Sequence, residues 1–105
     1  KIDAVFAIND PTAIGAQLAA QQLGRSEFII TAVDGAPDIE QALSSGSGLI
    51  KASASQDPYV IAGEALQMGY DFFMGNTPDE DTVLLEPQLI TDQNVGEYQG
   101  WTAER

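Results

Sequence analysis

The 105-residue chain has no cysteine, no histidine and only four basic residues. Without cysteine or histidine it cannot build a disulfide framework, a thiolate nucleophile, a zinc finger or a Ser-His-Asp relay. The basic residues Lys1, Arg25, Lys51 and Arg105 are scattered among 16 acidic ones, for a formal charge of −12. No basic stripe is available to neutralise phosphates, so nucleic acid is not an expected partner, and an anionic membrane surface should repel the chain. No apolar run approaches the ~20 residues that a membrane-spanning helix needs. No signal-peptide pattern is visible. The chain opens on Lys1 instead of Met and enters an apolar run almost at once, so it reads as a mature segment or a fragment.

What is present is a core-forming fraction of 44% hydrophobic residues, arranged in cycles. Ala4–Ile8 is a short continuous apolar run, which suits a strand covered on both faces, as in a parallel sheet. Asp10-Pro11 reads as a helix start, with Asp10 as N-cap, and the helix continues through Ile14 and Leu18 to Leu23, before Gly24. The cycle repeats. Phe28–Val33 is a strand ending in the turn pair Asp34-Gly35, and a short helix follows from Pro37 to Ser45. Leu49–Ser55 predicts a third strand, and Asp57-Pro58 caps the longest helix, reaching about Met74. Ile61, Ala65, Leu66, Phe72 and Phe73 recur along it at helical spacing. The acidic stretch 79–81 reads as a solvated loop, Thr82–Leu85 as a short strand, and Leu89-Ile90 as one more extended segment before a tail with Tyr98 and Trp101. Strands alternating with helices predict an α/β fold, a Rossmann-like parallel sheet with flanking helices. A compact chain of this length would have a radius of gyration of roughly 13 Å.

In open α/β sheets, ligands bind outside the carboxyl ends of the strands. Asn9, Asp34 and Gln56 stand at three such ends, 25 and 22 residues apart, one strand-helix cycle each. Parallel winding brings all three to one edge. Two amides and a carboxylate form a mixed donor and acceptor set suited to a neutral polyhydroxylated molecule. The plainer explanation is that Asn, Asp and Gly are common at strand ends because turns and caps use them. Enzyme readings fare worse. No histidine serves as a base, and Asp34 with Asp38 does not make a defined carboxylate pair across a scissile bond. Gly46-x-Gly48 precedes a strand and lacks the third glycine of a dinucleotide motif. A phosphoacceptor receiver would need a lysine at a later strand end, whereas Lys51 lies near the start of its strand. No catalytic residue, metal or cofactor is therefore expected.

Three motifs carry a family resemblance: Asp3–Asp10 followed by Ala13-Ile14-Gly15-Ala16; Val33–Asp38; and Ala54–Pro58 with Ile61 and Ala62 behind it. In order and spacing they resemble the C-terminal third of the periplasmic sugar-binding proteins of ABC transporters, ribose-binding type. The resemblance implies a partial two-lobe periplasmic binding protein fold. It also implies that Asn9, Asp34 and Gln56 hydrogen-bond sugar hydroxyls and that the loaded protein docks on a membrane permease in the periplasm. It assigns residues 1–56 to the C-terminal lobe, 57–87 to the N-terminal lobe, and 88–105 to a hinge crossover and tail. The remaining pocket residues would lie upstream of Lys1, and the expected partners are a monosaccharide or related polyol, the permease and the rest of the same protein. The alternative is the effector-binding core of a LacI-type transcriptional regulator, which would carry a basic helix-turn-helix upstream where the importer carries a signal peptide.

Overall fold

Three parallel strands with two helical crossovers form the body of the chain in a computed structural model that describes residues 1–105. Strand β1 (Ala4–Phe6) pairs with β2 (Ile29–Asp34), and β2 with β3 (Ile50–Ser55), all parallel. Helix α1 (Asp10–Gln22) joins the first pair and α2 (Pro37–Ser45) the second. The two helices lie side by side on the sheet. Small residues make this close packing possible: Ala13 and Ala20 of α1 are buried, while Leu18 faces outward. Ile30 and Ala32 of β2, Ile50 of β3, and Ile39 and Leu43 of α2 complete the core.

Local chemistry sets the boundaries, with one correction. Asn9, not Asp10, caps α1: its side chain accepts from the Thr12 amide, Asp10 is already helical, and Pro11 follows within the first turn. Pro37 and Pro58 likewise sit in the first turns of their helices, where a missing N–H costs nothing. Asp57 caps α3 (Pro58–Phe73) as expected, accepting from the Val60 amide.

Four further expectations are corrected. The sheet is covered by helices on one face only, so Phe6, Ile8 and Ile29 are exposed. Thr82–Leu85 forms no strand, because nothing in the chain pairs with it. The last strand, β4 (Leu89–Thr91), runs antiparallel to β3, since the chain returns alongside the strand it left with no crossover between them. Finally, the radius of gyration is 17.3 Å and the extents are 59 × 28 × 19 Å, well beyond the roughly 13 Å of a compact chain. Helix α3 is the cause. It projects from the body without packing on α1, α2 or the sheet to any substantial extent, and none of its residues is buried. A 3-10 turn (Val95–Glu97) then brings the tail back against α2, with Val95 and Ile90 entering the core.

Candidate functional site

The carboxyl ends of β1, β2 and β3 place Asn9, Asp34 and Gln56 at one sheet edge, because the three strands are parallel. Two of the three are in direct contact. The Gln56 side-chain amide donates to Asp34 Oδ1 at 2.8 Å, and the Gln56 backbone N–H donates to the Asp34 carbonyl at 2.8 Å. Asn9 bonds to neither. Its Oδ1 is occupied by the Thr12 amide at 3.0 Å and the Thr12 hydroxyl at 2.6 Å. The groups left over are the Asn9 side-chain N–H donors, Asp34 Oδ2 and Gln56 Oε1. Together with the second N–H of the Gln56 amide, they make a mixed set of donors and acceptors that matches hydroxyls, which both give and receive hydrogen bonds.

Asp34 is the chain's one non-glycine residue at positive φ, +129°, and Gly35 follows at +76°. A side-chain-bearing residue held there costs about 1–3 kcal/mol, and such strain concentrates at ligand clamps and active sites. Gly35 is required on a second ground: a Cβ built on it would stand 2.5 Å from the Tyr98 hydroxyl and 2.7 Å from Ser55 Cβ.

Asp10, next to Asn9, is 1% exposed. Its Oδ2 accepts from the Ala36 amide at 2.7 Å and its Oδ1 from the Ser53 hydroxyl at 2.7 Å. Burial pushes its carboxyl above the usual carboxylate range, against the pull of those bonds, and the nearby Asp34 charge adds to the rise. The sequence offered no separate signal for this role, because Asp-Pro at a helix start looks like a cap.

The tail is also more involved than its weak pattern suggested. Tyr98 OH donates to the Gly35 carbonyl at 3.1 Å, and the Trp101 indole N–H donates to the Gln56 carbonyl at 3.0 Å. Arg105 reaches Asp57 Oδ2 at 2.7 Å and lies 5.0 Å from the centre of the Tyr59 ring. The Arg105 guanidinium holds the Asp57 carboxyl below its ordinary range. The readable clue was chemical: tyrosine and tryptophan each combine a large apolar surface with one polar donor.

Two cavities border this edge. One, of about 750 Å³, runs between the end of β3, α3 and residues 83–87, and its lining is largely apolar, including Val60, Ile61, Met68 and Leu84. The other, of about 200 Å³, is polar and includes Gln56, Glu86, Gln88 and Tyr98. Gln56 borders both, and neither includes Asn9 or Asp34, so the trio's edge is not enclosed within this chain. No cluster of three or more acidic side chains stands close enough to hold a metal ion. No helix is long and apolar enough to cross a membrane.

No protein-family model matches the chain. Individual proteins do. It is 32% identical to a D-apiose import binding protein of Actinobacillus succinogenes over 95 residues, which is 90% of this chain and 30% of that protein. It is 36% identical over 66 residues to the ribose import binding protein of Escherichia coli, covering 63% of this chain and 22% of that one. Among solved structures, a galactofuranose binding protein superposes with a TM-score of 0.80 at 28% identity, over 91% of this chain and 32% of the other. The myo-inositol binding protein of Caulobacter superposes with a TM-score of 0.78 at 26% identity, over 90% and 32%. The resemblance carried by the three motifs is therefore found. Over about nine-tenths of its length the chain is similar to sugar-import binding proteins, and its fold is that of type I periplasmic binding proteins. The relatives are binding proteins, not enzymes. The chain spans about 30% or less of the curated relatives' length.

Proposed function

We propose that this chain supplies one wall of a sugar or polyol site in a periplasmic solute-binding protein, which delivers its cargo to an ABC-transporter permease. The observation that carries the reading is the Asp34-Gln56 pair at the carboxyl edge of the parallel strands. A strained carboxylate is held there by a neighbouring amide, beside an asparagine whose N–H groups have no protein partner. The names of the relatives, which import ribose or apiose, support the choice of ligand class. None of the relatives supports the LacI-type alternative. The reading assigns no catalytic role.

The division into lobes belongs to the same proposal. Residues 1–56 and the returning strand build one lobe, residues 57–87 belong to the other, and residues 88–105 cross back. The bare surface of α3 supports that division, since a 16-residue helix with no buried residue lacks the cover that stabilises protein helices.

The test is calorimetry on the full-length gene product with D-ribose, D-apiose and myo-inositol as probes. Asp34→Ala is expected to lose more affinity than Asn9→Ala or Gln56→Ala. Hydrogen bonds to a charged acceptor contribute about 1.5–3 kcal/mol, against about 0.5–1.5 for neutral ones. Wild-type affinity retained in Asp34→Ala would sink the assignment.

A further inference from the structure

We propose that Asp10 is the positioning residue of this site: its buried carboxylate ties the ends of β1, β2 and β3 together and thereby aims Asn9, Asp34 and Gln56 at one ligand. The inference rests on the sugar-binding reading and extends it to a residue whose own oxygens are turned away from solvent.

Geometry carries it. Asp10 directly follows Asn9. One of its oxygens holds the Ala36 amide, two residues beyond Asp34, and the other holds the Ser53 hydroxyl, three residues before Gln56. Each anchor point thus lies within three residues of one candidate, and Asp10 reaches all three strand ends. It has no capping duty to explain its presence, because Asn9 performs that function. A carboxylate accepts from both donors at once, whereas an amide of the same shape keeps one acceptor and can hold the Ser53 hydroxyl only by donating to it, which reverses that bond.

Energetics separates positioning from simple stabilisation. Asp10's folded-state pKa is raised, with burial as the largest cause. A carboxyl whose folded pKa exceeds its unfolded value contributes stability below the unfolded value. That contribution is lost as pH rises through the folded pKa. Burial of the charge therefore works against the fold, while the two hydrogen bonds work for it. Replacing it by a neutral side chain of the same shape should cost the fold little and the site a great deal.

The experiment compares Asp10→Asn and Ser53→Ala with wild type in the full-length gene product. It combines calorimetry with D-ribose, D-apiose and myo-inositol, thermal unfolding, and amide hydrogen exchange without ligand. Asp10→Asn is expected to bind about tenfold more weakly, a coupling of the size found between groups in one hydrogen-bond network. Its unfolding midpoint should stay within a few degrees of wild type, and its Ala36 amide should exchange faster. Ser53→Ala should show the same pattern, more mildly, and decides the matter if Asp10→Asn does not fold. Wild-type affinity should also weaken on acidification through the Asp10 titration, a limb missing from Asp10→Asn. Asp34 at the end of β2 and Tyr98 from the tail lie near Asp10 and are present in both proteins, so the difference belongs to Asp10. Unchanged affinity in the variants, or a loss matched by global unfolding at the assay temperature, overturns the proposal. If wild type binds none of the probes, the sugar reading fails instead. Ala36 exchange then judges Asp10 alone, and an unaltered rate refutes its positioning role.

Discussion

Asp34 and Gly35 are adjacent residues with positive φ and different reasons for it. Asp34 bears strain and supplies a carboxylate. Gly35 relieves strain and supplies room, with Tyr98, Ser55 and Ile90 crowded where a Cβ would go. Gly35→Ala is therefore expected to destabilise the protein by about 2–4 kcal/mol, the sum of a left-handed backbone penalty and overpacking. Urea unfolding should show a lower midpoint at unchanged slope, and a loss below about 0.5 kcal/mol, the scale of an ordinary surface substitution, would contradict the crowding. At this scale the sequence was informative about place and silent about partners. Asn9, Asp34 and Gln56 were legible because a polar amide or carboxylate stands at each strand end at one-cycle spacing. The Asp10 bonds to Ala36 and Ser53 span 26 and 43 residues of sequence, and no local pattern encodes a bond of that reach.

Among the elements, the starts of the three helices followed from Pro in each first turn, within one residue for the cap of α1 and at Asp57 itself for α3. The failures have a common cause in pairing. Thr82–Leu85 has the composition of a strand, but a strand is completed by a neighbour's hydrogen bonds, and Leu84 here is 90% exposed. The direction of β4 was equally out of reach, since Leu89-Ile90 carries no mark of which strand it will meet. The tail tests the importance of such long-range bonds. Arg105 keeps the Asp57 carboxyl low, so this group's contribution to stability is present above its unfolded pKa and fades as pH falls through the folded one. Arg105→Ala is expected to raise the Asp57 pKa towards the ordinary carboxylate value, which an NMR titration of the Asp57 carboxyl carbon reads directly. An unmoved titration would mean that the ion pair does not persist in solution. Because Trp101 and Tyr98 bond the Gln56 and Gly35 carbonyls from the same segment, the tail reaches both loops that carry the acidic and amide candidates.

The whole molecule is a small sheet-and-helix body with a long projection. Tyr70, Phe72 and Phe73 on α3 and Leu84 beyond it are exposed, with Phe73 at 84%. Apolar patches of this kind mark surfaces that normally meet another surface. The 105-residue chain by itself is expected to self-associate, and sedimentation velocity over a concentration range should show a shift towards dimers or larger species. Leu66→Glu with Phe73→Glu should reverse that shift. A monomer at every concentration, with α3 helical by circular dichroism, would show that the projection needs no cover.

The junction at the base of that projection is narrow. The Ser55 amide donates to the Gln88 carbonyl at 2.8 Å, and the Gln88 amide donates to the Ser55 hydroxyl at 3.2 Å. The chain leaves the sheet and rejoins it at one point, between two strands that are already antiparallel neighbours. In topological terms residues 57–87 are an insertion into a β3–β4 hairpin. Chains accept insertions where both ends lie side by side at a surface. The consequence is modularity. No ladder pair from β1 to β4 involves residues 57–87, so the sheet edge that bears Asn9 and Asp34 and the surface presented by the excursion are built by separate stretches of the chain.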